Sequence, residues 1–121
     1  MKQFLFTLLF LTPLLGFSQD ALMESSKDFP DGIHVVEFNA SFNKPNEVLW
    51  LNKLSDCKTE RIDILADNRW ASEYKIVVVP TLVIFNEGEE VKRFQANIMM
   101  TMEATKNELQ DAIDEVIMEA F

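Results

Sequence analysis

Two short runs, I-H-V-V-E-F at residues 33–38 and T-L-V-I-F at residues 81–85, restrict the folds open to this chain more than any other feature. Both are dense in β-branched and aromatic residues, and the first is apolar on both of its faces apart from Glu37. A strand of that kind is stable where both faces are covered. The chain therefore needs packing layers above and below a sheet, which points to an α/β class fold: a mixed central sheet of about four strands with helices on both faces. Asn86-Glu87-Gly88-Glu89 predicts a turn after the second run, with Glu90 to Gln95 returning as a hairpin partner.

The covering elements have their own signals. Asn43 stands where an N-cap belongs, Pro45 is tolerated in a first helical turn, and Val48, Leu49, Leu51 and Leu54 recur at helical spacing, so the pattern predicts a helix from about Lys44 to Ser55. Thr59 to Ile64 predicts a second strand. Asp67 predicts the cap of a short helix, Asn68 to Tyr74, with Trp70 and Tyr74 on one face. From Thr105 the capping box T-K-N-E opens a last helix carrying Leu109, Ala112, Ile113, Val116 and Ile117 along one side. Phe29-Pro30-Asp31-Gly32 predicts a turn ahead of the first strand.

At the amino terminus, M-K-Q precedes an apolar run from Phe4 to Leu15. This is too short to cross a bilayer about 30 Å thick, and it ends in the small residues of Gly16-Phe17-Ser18. Residues 1–18 are thus expected to be a signal peptide and the product to be exported, periplasmic or secreted, with no membrane association after cleavage. Residues 19–31 are expected to form an N-terminal helix or leader. Without Lys2, 10 basic residues face 20 acidic ones, a net charge of −10. That sign argues against nucleic acid, whose phosphates need a basic face, and fits solubility or a basic partner. Cys57 is the only cysteine, so no internal disulfide can form, and with the single His34 it falls short of a zinc set. No metal or cofactor is expected from these ligands.

From Gly32 to Ile117 the chain resembles the thioredoxin family, on two stretches: E-F-N-A-S-F-N-K-P-N and V-P-T-L-V-I-F-N-E-G-E-E-V. The family places an acid and F-W-A-x-W before C-G-P-C at a helix start, and later a V-P-T strand followed by a turn. The resemblance implies a thioredoxin-like domain over residues 32–121 in which Asn43-Lys44-Pro45-Asn46 stand at the active-site positions, with Asn43 and Asn46 in the two cysteine seats. An amide is no nucleophile and has no redox couple, so thiol–disulfide exchange cannot run there. The expectation is a redox-inactive, non-catalytic domain.

Several further roles follow from the same resemblance. Pro80 matches the family's cis proline, beside which Val79 pairs with an extended peptide. Phe42, Val79, Pro80 and Ala96 would then line a shallow groove for an unknown protein or peptide partner, or else only close the end of the core. Glu37 corresponds to the family's buried acid, and Arg61 to a basic neighbour. With no cysteine to serve, they predict a buried charge pair of structural role. Asn43 and Asn46 read as structural replacements or as polar ligand contacts at a helix start. Two alternatives remain open. Cys57 would make the protein a single-cysteine thiol–disulfide enzyme or redox sensor, although it lies at the far end of the domain and suits a buried, inert thiol. Met99, Met100 and Met102 would bind Cu(I) through soft thioethers, or simply fill gaps.

Overall fold

The computed structural model describes residues 28–121. The expected signal peptide, residues 1–18, and residues 19–27 of the expected leader lie outside that range. Four strands form one sheet: β1 (Ile33–Asn39), β2 (Lys58–Asp63), β3 (Thr81–Asn86) and β4 (Glu89–Gln95), in the order β2-β1-β3-β4. β1 runs parallel to β2, from His34 opposite Lys58 to Asn39 opposite Asp63. β3 is antiparallel to both β1 and β4. The β3–β4 connection has positive φ at Glu87 and at Gly88, as a tight two-residue hairpin turn requires.

Alternation along β1 and β3 divides the interior into two layers. Val36, Phe38, Val83 and Phe85 face α1 (Asn68–Glu73), where Trp70, Ala71 and the following Tyr74 pack on them. Val35, Leu82 and Ile84 face α2 (Lys106–Glu119), which contributes Leu109, Ala112 and Ile113 at helical spacing. Both helices begin as the sequence predicts. The Asp67 carboxylate accepts from the Arg69 N–H, and Thr105 and Glu108 close a reciprocal capping box. Among the described residues no helix is long and apolar enough to cross a membrane.

Two local features depart from what the sequence pattern alone conveys. The first is Phe29, which lies in the expected turn ahead of β1 yet joins the core. Its ring is buried and stacks on Phe85 at 4.7 Å, with Tyr74 at 5.8 Å and Trp70 at 6.1 Å. Burying such a ring stabilises the fold by about 2 kcal/mol.

The second is the helix expected over residues 44–55, which exists only as two 3₁₀ turns, Ser41–Asn46 and Leu51–Lys53. In an α-helix the Val48 N–H would donate to the Lys44 carbonyl. Here that carbonyl takes the Glu47 N–H at 3.0 Å, and the Val48 N–H donates instead to Glu37 Oε2 at 2.9 Å. The Val48 carbonyl in turn accepts from the Arg61 guanidinium. Pro45 has no N–H to give. With these backbone groups claimed from the strands, a continuous i to i−4 ladder cannot form. The segment still packs its apolar residues as the pattern requires, with Val48, Leu51 and Leu54 buried against α2.

Candidate functional site

The chain leaves β1 at Asn39 and turns sharply through Ser41–Asn46, so this 3₁₀ turn sits at the carboxyl end of β1, where ligands of open α/β sheets gather. Asn43 is not an N-cap: Ala40 holds that position, without a side-chain cap, and Asn43 lies inside the turn with its own N–H on the Ala40 carbonyl at 2.8 Å. Its side chain is buried and fully engaged. Asn43 Nδ2 donates to Asn39 Oδ1 and to the Met100 carbonyl, each at 3.1 Å, with the Val79 carbonyl a longer third neighbour at 3.5 Å. Two hydrogens serve the two short bonds, which leaves the Val79 carbonyl able to accept elsewhere. Asn46 Nδ2 closes the network on Asn43 Oδ1 at 2.9 Å.

Across this turn stands the Val79–Pro80 peptide, which is cis. Pro80 is buried and Ala96 half-buried, and the Ala96 N–H donates to the Pro80 carbonyl at 3.1 Å. In front of them a groove of about 310 Å³ runs past Phe42, Val79, Leu65, Val77, Ile98 and Met100. Phe42 and Val79 are the two sequence-predicted residues that line it. Leu65, Val77, Ile98 and Met100 were not singled out for it. Their only sequence signal is apolar character in loops, which many single surface residues share.

The groove's outer wall is the loop after β4. Asn97 Oδ1 accepts from the Met99 N–H, the Thr101 N–H and the Thr101 hydroxyl, and the Asn97 amide reaches Glu103 at 2.8 Å. That wiring holds Met100 at a positive φ of 60° and leaves Ile98 96% exposed.

Behind the turn, Glu37 is fully buried on β1. Its carboxylate accepts from Arg61 Nε at 3.0 Å and from the Val48 N–H, and Arg61 also stands 3.6 Å from Glu47. Burial pushes the Glu37 pKa up, more than the Val48 N–H and Arg61 pull it down.

Cys57 and His34 belong to the other end of the sheet. Five residue steps of strand, about 17 Å, separate the Lys58 level from the Asp63 level beside the site. Cys57 packs half-buried against the α2-facing layer, and burial together with Asp56 raises its pKa. His34 lies among the α1-facing residues instead, 5.9 Å from the Phe29 ring, with Nε2 2.9 Å from the Asp31 carbonyl. The sheet thus stands between the two, and they form no thiol–imidazole pair. Of the three methionines, Met99 and Met100 are exposed whereas Met102 packs against the α2-facing core.

No protein-family model matches the sequence, and no curated protein is significantly similar to it. Solved structures do match. A point mutant of the thioredoxin from Halobacterium salinarum is 25% identical, with 81% of this chain and 84% of that chain covered and a TM-score of 0.55. Schistosoma mansoni thioredoxin is 23% identical over 82% of this chain and 91% of its own, with a TM-score of 0.58. The described residues have the thioredoxin-like fold. Fasciola hepatica thioredoxin, 20% identical with a TM-score of 0.52 over 74% of this chain and 86% of that one, shares the fold. The thioredoxin-like domain described here has one cysteine in its whole sequence, and the turn at the end of β1 carries asparagines.

Proposed function

We propose that this is an exported, redox-inactive thioredoxin-like protein that binds an extended protein or peptide segment in the groove beside Pro80. The observation that carries the reading is the fate of the Asn43 amide. By the resemblance it stands in the first cysteine seat, and its bonds to Asn39, Asn46 and Met100 tie the turn after β1 to the loop after β4, on the side of the turn where the Val79–Pro80 peptide is cis. A site that has lost its chemistry retains its shape. Docking would use apolar contact with Phe42, Val77 and Ile98, together with backbone pairing at Val79. Glu37 and Arg61 have a structural role in this reading: they hold the backbone of Val48, and so the turn, from behind.

Two measurements test the proposal. The protein should fail to reduce insulin, and Cys57→Ser should leave that result unchanged. Titration with an extended apolar peptide should perturb the NMR signals of Phe42, Val79 and Ile98, and leave those of Cys57 and His34 in place. Insulin reduction that depends on Cys57 would establish the single-cysteine enzyme instead.

A further inference from the structure

Residues 48–54 carry the apolar spacing of an α-helix and are held out of one by two side chains from the strands. The bonds along the segment run from i to i−3: the Leu51 N–H donates to the Val48 carbonyl at 3.3 Å, Lys53 to Trp50 at 2.9 Å and Leu54 to Leu51 at 3.3 Å. Moving each bond one carbonyl back would give the α-helical ladder. Val48 blocks that step, because its N–H donates to Glu37 Oε2 at 2.9 Å and its carbonyl accepts from Arg61. The buried residues suit both forms. Val48, Leu51 and Leu54 already pack toward α2, and on an α-helix they would fall within about 120° of arc.

The two captures are coupled through one carboxylate. Glu37 is fully buried and each of its oxygens accepts a donor, Oε2 from the Val48 N–H and Oε1 from Arg61 Nε at 3.0 Å. A carboxylate accepts at both oxygens, whereas a neutral carboxyl carries on one of them a hydroxyl that is itself a donor. Protonation therefore breaks one of the two bonds. Arg61 is the partner free to leave, since its side chain is 40% exposed and stands 3.6 Å from Glu47, which can take the guanidinium. The Val48 N–H is buried main chain and stays. With Arg61 turned to Glu47, the Val48 carbonyl is open to the Asn52 N–H, the first bond of an α-helix over 48–54.

Few other charges bear on Glu37. Arg61 and Asp63 from β2, and Lys44 and Glu47 from the turn segment, line one pocket of about 210 Å³ with it. On its other side β3 is uncharged from Thr81 to Asn86, and α2 meets this layer with Leu109, Ala112 and Ile113. Burial favours the neutral carboxyl more than the Val48 N–H and Arg61 favour the charged one, and the Glu47 charge adds to that bias.

We propose that Glu37 is a proton-operated clamp on this segment: as a carboxylate it holds residues 48–54 in 3₁₀ geometry through Val48, and as a neutral acid it releases Arg61 and lets the same residues wind into an α-helix. The clamp acts from behind the turn after β1 and does not depend on a peptide in the groove.

NMR of the isotope-labelled full-length protein between about pH 8 and pH 4 tests this. Contacts from Hα to the amide hydrogen four residues on, at Val48–Asn52, Leu49–Lys53 and Trp50–Leu54, mark an α-helix and not a 3₁₀ helix. All three should be absent at the upper pH and should appear on acidification with the midpoint of the Glu37 side-chain carboxyl signal. Far-UV circular dichroism should gain the equivalent of about two turns of α-helix over the same range. Glu37→Gln, whose amide meets the same two donors without a charge, should show the three contacts at every pH. Should that variant not fold, the wild-type titration decides alone.

A Glu37 signal that titrates while the contacts stay absent would overturn the clamp, and so would a Glu37 signal that does not titrate above about pH 4. Contacts that appear with a different midpoint, or that still need acid in Glu37→Gln, would assign the change to another carboxyl and overturn it as well.

Discussion

Asn43 Nδ2 and the Met100 carbonyl oxygen, 3.1 Å apart, join the turn after β1 to the loop after β4 across the mouth of the groove. Because Asn43 is buried, its amide has no water to fall back on. Asn43→Ala should cost about 2 kcal/mol, since it strands the Met100 carbonyl and the Asn46 amide together. Asn43→Asp should cost more at neutral pH, because it aims an acceptor at two acceptors, and part of that loss should return on acidification as the carboxyl regains a proton to donate. Urea unfolding of the two variants at about pH 7 and pH 4 measures both effects. Equal stability of wild type and Asn43→Ala would show that the bond holds nothing.

Glu37 and Arg61 hold the segment by its backbone, one taking the Val48 N–H and the other the Val48 carbonyl. Arg61→Met should destabilise the fold by about 2 kcal/mol, a value reduced from that of a fully buried pair because Arg61 is partly open to solvent. The pH dependence has a definite sign. Burial raises the folded-state pKa of Glu37 above its ordinary value near 4.5, so the folded protein binds this proton more tightly than the unfolded chain. The resulting stability is complete below the unfolded value and is lost as the pH rises through the folded one. Wild type should therefore lose ground relative to Glu37→Gln as the pH rises from about 4 to 8. Unfolding free energies of the two proteins across that range decide it, and a constant difference would show that Glu37 does not titrate differently in the fold.

The same residues explain which parts of the structure are legible in the sequence. β3, the hairpin turn, the Asp67 cap and the Thr105 capping box are written in local chemistry, and each forms where the sequence predicts it. The 44–55 helix fails because its competitors, Glu37 and Arg61, come from two strands, 11 and 13 residues away from Val48. No window over the helical pattern contains them. The turn at Phe29–Gly32 forms as expected, but the burial of Phe29 is not legible for a related reason: its ring is recruited by Phe85 and Tyr74, more than 40 residues on. At the site, the family likeness locates Asn43 and Val79. The bond from Asn43 to Met100 and the exposed wall at Ile98 depend on how the loop after β4 folds back, which no local signal encodes.

Asp28 anchors the start of the described chain by accepting from the Tyr74 hydroxyl and from Arg69 at 3.2 and 3.3 Å. Burial opposes its charge, but the Tyr74 and Arg69 hydrogen bonds prevail and lower its pKa below the ordinary value near 3.8. A lowered carboxyl contributes stability above the unfolded value and loses it as the pH falls through the folded one, the reverse of Glu37. Asp28→Asn should cost about 1 kcal/mol at neutral pH, given the partial exposure of the group, and nothing once both states are protonated. Thermal unfolding at about pH 7 and pH 2.5 tests this, and an undiminished effect in acid would assign the loss to packing instead.

Cys57 offers the sharpest check on the proposed redox inactivity. Burial and the Asp56 charge both move its pKa above the usual thiol value of 9.0, which lowers the thiolate fraction at neutral pH, and half-burial slows the approach of a reagent. Only the thiolate attacks a disulfide. The folded protein should therefore react with an aromatic disulfide reagent at least about tenfold more slowly than the urea-unfolded chain at the same pH, and its rate should still be rising at pH values where a free thiol has levelled off. Reaction of the folded protein as fast as the unfolded one would identify an activated thiol and favour the alternative of a single-cysteine enzyme over the docking function.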